Sequence, residues 1–318
     1  MVNTVFLNSG RLDFDSKLDF SSIDELTTLT KYDESNDRNI LDRVKDQTIV
    51  ITKELPLGRN LISKFPPSVK LICEAGTGYN NIDIAAARER NITVCNIPSY
   101  STGSVAHLAI TYILNFSSSL IKRQVMIKQN NFDDFMGNVN LPHFELQNKT
   151  LGVIGGGAIG GEVIKIALVL GMNIIICTRT EKPWDNPNIH FVSLEELLKQ
   201  SDFVTIHCPL TPDTLHLINK ERLNFMKSSA FIINTSRGSI IKETDLIEAL
   251  QKGKIAGAAL DVQETEPPEF TNPLFAMENV IITPHIGWRR FESRQRLIKL
   301  MAFNIKSYIQ GKLINTVN

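Results

Sequence analysis

Leu151-Gly152-Val153-Ile154-Gly155-Gly156-Gly157-Ala158-Ile159-Gly160 is the stretch on which the reading of this chain turns. An apolar, β-branched run ends in glycines, and the residues that follow carry helical apolar spacing over 159–170. A Gly-x-Gly-x-x-Gly alone is weak, but here it joins a strand to a helix. Gly155 then permits a tight turn, Gly157 leaves room for backbone to approach a pyrophosphate, and Gly160 lets helix and strand pack closely. The helix N-terminus attracts the anion. A plain glycine-rich turn is the alternative.

Working outward, apolar runs of the same kind recur downstream at residues 174–177, 203–206, 231–234, 256–260 and 280–283. An earlier series occupies residues 4–7, 48–51, 69–73 and 93–95, with helix-like stretches such as 82–90 between them. Strands alternating with helical segments imply parallel sheets with helical crossovers. The expected fold class is α/β, with two doubly wound parallel-sheet domains: a Rossmann-type dinucleotide-binding domain over residues 101–289, and a smaller flavodoxin-like domain. Residues 292–310 show helical periodicity after the last strand and are expected to cross back, so the smaller domain is discontinuous, 1–100 and 290–318. Residues 104–128, apolar nearly all round at their start, are expected to form one long helix linking the domains. Residues 129–148, rich in Asn, Asp and Phe, read as loop and short helix.

The bulk chemistry narrows the partners. The chain has 318 residues, 42% hydrophobic and 21% charged, enough for two cores, and its 34 basic residues balance 34 acidic ones. No net field draws a polyanion, so neither nucleic acid nor a membrane surface is expected as partner. The four cysteines, Cys73, Cys95, Cys177 and Cys208, show no metal-ligand spacing, so they read as reduced core residues and no metal is expected. The start lacks a basic segment followed by a long apolar one, which points to the cytoplasm.

The strand after the glycine turn should end in an acid that bonds the adenosine ribose. Here the place reads Cys177-Thr178-Arg179-Thr180. No carboxylate at Thr178 repels a 2′-phosphate, and Arg179 can pair with one or stack on adenine, which predicts NADP(H) as preferred cofactor with NAD possible. Arg179 as a solvated loop cation is the alternative.

Three residues far apart each follow a short apolar run. Arg237, in Asn234-Thr235-Ser236-Arg237-Gly238, stands at a strand's carboxyl end, where open α/β sheets bind ligands, and can hold a 2-oxo carboxylate by forked hydrogen bonds. His285, in Thr283-Pro284-His285-Ile286-Gly287-Trp288, is the one of the six histidines chosen as acid, since reducing a ketone requires a proton on the developing alkoxide. Glu266, in a loop stiffened by Pro267 and Pro268, would favour the charged imidazolium. Taken singly, His285 reads as structural and Glu266 as a solvated loop acid, while for Arg237 a surface ion pair is the alternative.

Together with Glu74-Ala75-Gly76-Thr77-Gly78-Tyr79-Asn80-Asn81-Ile82-Asp83, residues 98–106, His207-Cys208-Pro209-Leu210-Thr211 and residues 257–262, these stretches resemble the D-isomer-specific 2-hydroxyacid dehydrogenases over nearly the whole chain, in wording most like those acting as hydroxypyruvate reductases. The resemblance implies that Arg237 binds the substrate carboxylate, His285 exchanges the proton and Glu266 supports it. It implies that the amides of Gly76, Thr77 and Gly78 bind the carboxylate from the smaller domain, and that Asp261 contacts the nicotinamide end. Ala158, Ile159, Cys208, Pro209, Thr235 and Ser236 should line the cofactor. Tyr100 and Trp288 either cap a small substrate pocket or pack at the domain seam. The expected reaction is hydride transfer from NADPH to a short 2-oxo acid, hydroxypyruvate or glyoxylate, giving the D-hydroxy acid, with another 2-oxo acid of the lactate type as alternative. A homodimer is implied as well. Members often carry Glu or Gln where this chain has His107, and Asp where it has Thr178; formate dehydrogenases carry Gln in the place of Glu266, which argues against formate. A dinucleotide-sensing binding protein of the same fold is the rival from another class.

Overall fold

Side chains alternate between two apolar layers along nearly every central strand, which fixes both sheets as doubly covered. The computed structural model describes residues 2–181 and 184–318 and divides into two compact units, Met1–Ser101 with Trp288–Asn318, and Thr102–Gly287. The boundaries fall just after Ser101 and just before Trp288, so Ser101, Trp288 and Arg289, which the sequence reading placed in the larger unit, cluster with the smaller.

The smaller unit contains β1 (Val2–Phe6), β2 (Thr27–Lys31), β3 (Ile49–Thr52), β4 (Leu71–Glu74) and β5 (Thr93–Cys95). They pair in parallel in the order β2-β1-β3-β4-β5, the flavodoxin-like arrangement. Ile49, Ile51, Leu71 and Cys73 face one layer, while Val50, Ile72 and Val94 face the other. The helix Phe291–Ile309 supplies Leu297, Ile298, Met301 and Ile305 to the first of these layers.

The larger unit carries β6 (Thr150–Ile154), β7 (Asn173–Cys177), β8 (Ile189–Phe191), β9 (Phe203–Ile206), β10 (Phe231–Asn234), β11 (Gly257–Leu260) and β12 (Val280–Ile282). Their order is β12-β11-β10-β9-β6-β7-β8, all parallel, so the winding reverses between β6 and β9. That reversal is the switch point at which such sheets take ligands. Val153 and Ile233 enter one core and Ile154 and Ile232 the opposite one.

The expected α/β class and paired doubly wound sheets hold. Two edge strands, β2 and β8, were not legible. Thr27-Thr28-Leu29-Thr30-Lys31 is largely exposed beyond Thr27, and Ile189-His190-Phe191 buries only its isoleucine, so neither shows a continuous apolar run.

Residues 104–128 form not one helix but two, Thr102–Ser118 and Leu120–Lys128, bent by 64°. Ser117 and Ser118 Oγ both donate to the Leu114 carbonyl, at 2.9 and 2.7 Å, which draws that acceptor away from the helical ladder. Ser119 takes φ 52°, and Asn115 Oδ1 accepts the Ile121 amide at 2.8 Å to start the second helix. Among the described residues no single helix is long and apolar enough to cross a membrane; this bent pair passes by length and composition, with nine residues of its first helix buried. The short helix expected within 129–148 is absent among the described residues: Asn131 Oδ1 takes the Asp133 amide and Asn138 bonds back to the Asp133 carbonyl, closing turns instead.

Candidate active site

Each chemical group here is placed by the loop leaving a strand's carboxyl end. After β6, Gly155 adopts φ +100°, open to glycine, and a Cβ there would lie 2.7 Å from the Cys208 amide. Gly160 is held for a different reason, since a Cβ on it would meet the Gly155 carbonyl at 2.1 Å. The turn is therefore packed against residues 207–208 on one side and its own helix, Ala158–Val169, on the other. Gly157, the N-cap, has open space where its Cβ would be. These features fit a pyrophosphate at the start of a twelve-residue helix.

After β7, Thr178 is half-buried with Oγ 3.5 Å from the Thr180 carbonyl, and Arg179 is exposed and makes no hydrogen bond or ion pair among the described residues. After β9 comes His207, whose Nε2 lies 2.8 Å from Thr205 Oγ; burial pulls its pKa down to about 3, so it is neutral at working pH. This second strand-end histidine is thereby tied to a structural partner. Burial likewise pushes the Cys208 thiol up to about 11, so it is no thiolate nucleophile.

The turn after β10 is shaped by Asn234, fully buried, whose Oδ1 accepts the Ser236 amide at 3.0 Å and whose Nδ2 donates to the Arg237 carbonyl at 2.9 Å. Ser236 Oγ donates to the Cys208 carbonyl at 2.5 Å, joining this turn to the one after β9. Arg237 is half-buried and spends one Nη1 bond on the Ser236 carbonyl at 2.7 Å, leaving other guanidinium donors for a ligand. A Cβ on Gly238 would sit 1.9 Å from the Gln263 carbonyl carbon, so the Arg237 turn lies directly on the loop after β11.

That loop presents Glu266. The Gln263 amide donates to Glu266 Oε1 at 3.0 Å, and His285 Nδ1 pairs with Glu266 Oε2 at 2.9 Å. Arg237, Glu266 and His285 thus belong to one contiguous run of contacts, through Gly238 and Gln263. His285 holds φ +51°, a left-handed conformation that non-glycine residues keep only where surroundings impose it. Asp261 imposes it. Its Oδ1 accepts Thr283 Oγ at 2.5 Å and the Ile286 amide at 2.8 Å, its Oδ2 accepts the Gly287 amide at 2.8 Å, and its carbonyl accepts the His285 amide at 2.9 Å. Burial raises the Asp261 pKa against those bonds. Tyr112 reaches Thr283 Oγ at 2.5 Å and Ser104 Oγ donates to the Gly287 carbonyl at 2.6 Å, bracing the same turn from the helix Thr102–Ser118.

Asn234, Gly238 and Thr283 were not singled out from the sequence. An Asn closing a strand two residues before a Ser is a legible turn signal; the packing of Gly238 on Gln263 has none. Thr235 Oγ and Gln263 Nε2 are buried and have no partner among the described residues, which is the state expected of groups awaiting a ligand. Among the described residues no cluster of His, Cys, Asp or Glu could hold a metal.

The predicted residues of the smaller unit divide. Gly76 is buried, Thr77 exposed and Gly78 half-buried, and their three amides donate no hydrogen bond among the described residues. Successive free amides make an anion-binding concavity. Tyr100 and Trp288, each 3% exposed, lie instead in this unit's apolar core and do not line an open pocket there.

The pattern of the D-isomer specific 2-hydroxyacid dehydrogenase NAD binding domain matches residues 110–287. The chain is 37% identical to a hydroxypyruvate reductase of Blautia hydrogenotrophica, over 98% of this chain and 97% of that protein. Among solved structures it is similar to a glyoxylate reductase from Paecilomyes thermophila, with TM-score 0.86, 31% identity and coverage of 99% and 98%. It is also similar to a D-lactate dehydrogenase from Aquifex aeolicus, solved with NAD and lactic acid, with TM-score 0.85, 30% identity and coverage of 97% and 96%.

Proposed function

Because the chain belongs to the D-isomer specific 2-hydroxyacid dehydrogenases, which are NAD(P)-dependent oxidoreductases, we propose that it reduces a short 2-oxo acid, hydroxypyruvate or glyoxylate, to the D-2-hydroxy acid with NADPH preferred. The observation that carries this reading is the 2.9 Å pair of His285 and Glu266 beside the Arg237 turn. The nicotinamide cofactor supplies the hydride when bound. Gly155, Gly157, Ala158, Ile159 and Gly160 hold its pyrophosphate; Cys208, Pro209, Thr235, Ser236 and Asp261 line the remainder of its site.

With Nδ1 engaged by Glu266, His285 presents Nε2, and a proton held there passes to the substrate carbonyl oxygen as negative charge develops. Glu266 stabilises the imidazolium and fixes the ring's orientation. Arg237 binds the carboxylate and polarises the neighbouring carbonyl, and the amides of Gly76, Thr77 and Gly78 bind the carboxylate too. Asp261 acts on the histidine through the backbone of residues 285–287.

The preference for NADPH is supported by Arg179 and by the lack of an acid at Thr178. Arg222 adds a second positive charge close enough to oppose the rise in the Cys177 pKa that burial causes. A homodimer is supported by exposed Leu120, Ile121, Val125, Phe132, Phe135 and Met136, an apolar concentration unusual for a free surface. We place the protein in the cytoplasm.

Initial rates with hydroxypyruvate, glyoxylate and pyruvate, each with NADPH and NADH, test the proposal. The largest kcat/KM is expected with one of the first two acids and NADPH. A clear preference for NADH would overturn the cofactor assignment, and a preference for pyruvate the substrate assignment.

A further inference from the structure

Lys53, one residue past β3, is only 2% exposed, and its ammonium lies 4.0 Å over the Trp288 ring and 2.6 Å from Glu54 Oε1. Glu74, the last residue of β4, is wholly buried; its Oε1 accepts the Glu54 amide at 3.0 Å and its Oε2 accepts Asn81 Nδ2 at 2.9 Å. Charges removed from water together are costly against an apolar replacement, so their retention calls for a reason. Their position supplies one. A Cβ built on Gly76 would stand 3.2 Å from Glu74 Oε1 and 3.5 Å from Lys53 Nζ, so both groups lie beside the first residue of the 76–78 loop with its three free amides.

The loop is otherwise firmly held. The Ile97 amide donates to the Gly76 carbonyl at 2.8 Å, and Asn96 Nδ2 donates to the Thr77 carbonyl at 2.7 Å. The carbonyls of Gly76 and Thr77 are thus engaged while the three amides are left to an anion.

We propose that Lys53 and Glu74 are positioning residues that set the affinity of the 76–78 amides for the substrate carboxylate, the ionised acid opposing the anion and the lysine offsetting it. This rests on the assignment of those amides to the carboxylate made above, and adds to it a charge pair that makes substrate affinity depend on pH. The ionisable groups acting on Glu74 are Lys53, Glu54, Tyr100 and Cys73. Burial pushes Glu74 up to about 7, against the pull of Lys53, Asn81 and the Glu54 amide, so its charge changes in the working range.

The test is the KM for the 2-oxo acid between pH 6 and 8.5 in wild type, Glu74→Gln and Lys53→Met, with kcat and NADPH affinity followed alongside. Glu74→Gln is expected to match wild type at pH 6 and to lower KM roughly three- to tenfold at pH 8.5. Lys53→Met is expected to raise KM severalfold, already at pH 6, with kcat and NADPH affinity unchanged. A purely structural lesion raises KM in both variants, so the opposite signs are diagnostic. A KM for Glu74→Gln at or above wild type at pH 8.5, or a KM for Lys53→Met within twofold of wild type, overturns the inference. Should Lys53→Met not fold, the Glu74→Gln profile decides alone. Arg237→Ala separates the two readings: retained turnover there defeats the proposed site, while lost turnover beside an unaltered Glu74→Gln profile defeats this inference only.

Discussion

Histidine 285 illustrates how much one residue's chemistry depends on neighbours that a sequence cannot rank. Its backbone is held left-handed by Asp261, and its ring is held by Glu266; the equally strand-terminal His207 is instead buried against Thr205 and kept neutral. The sequence singled out His285 as the histidine that ends a strand without a competing structural role, yet it cast Asp261 as a cofactor contact and missed that its carboxylate clasps the histidine turn. Glu74 was quoted only as part of a motif, for no pattern in sequence reveals that a strand-end acid is sealed. Its stability consequence has a definite sign. Below about pH 4.5 the folded and unfolded chains are both protonated at this site; between there and about 7 only the unfolded chain releases the proton, so stability falls as pH rises, and above 7 the loss is complete. Glu74→Gln should therefore gain on wild type by up to about 3 kcal/mol between pH 4.5 and 8 in denaturant titrations, given a folded value near 7. A stability difference independent of pH would refute that linkage.

At the level of elements, the central strands were legible because burial on both faces demands unbroken β-branched runs. Two of the four edge strands were not, since β2 and β8 bury one residue each and leave polar or half-exposed side chains elsewhere, whereas the edge strands β5 and β12 keep short apolar runs. The break at Ser119 was hidden for another reason: it arises from serine hydroxyls competing for one carbonyl, not from proline or glycine. Packing between loops was equally illegible, and Gly238 is its sharpest instance. Any side chain there must displace the Gln263 carbonyl, 1.9 Å from its Cβ, and with it the amide that orients Glu266. Gly238→Ala is expected to lower stability by roughly 1–3 kcal/mol. It should also cut kcat by roughly a hundredfold through misplacement of the Glu266–His285 pair. Thermal unfolding and steady-state rates on the same preparation check this; a variant stable and fully active would mean the two loops move independently.

Taken whole, the molecule distributes its chemistry by the rule that open parallel sheets expose ligand-binding loops at their carboxyl edges. The glycine turn, the Arg237 turn, the Glu266 loop and the His285 turn all leave such edges in the larger unit, and the free amides of residues 76–78 leave one in the smaller. A neutral chain with 34 charges of each sign adds no long-range attraction, so recognition rests on these local groups. The claim on which the account depends is that His285 delivers the proton, and it is tested most directly by turnover of a 2-oxo acid by His285→Ala under saturating NADPH. The account predicts a fall in kcat of roughly a hundredfold or more with NADPH affinity unchanged. Turnover equal to wild type at neutral pH would contradict it.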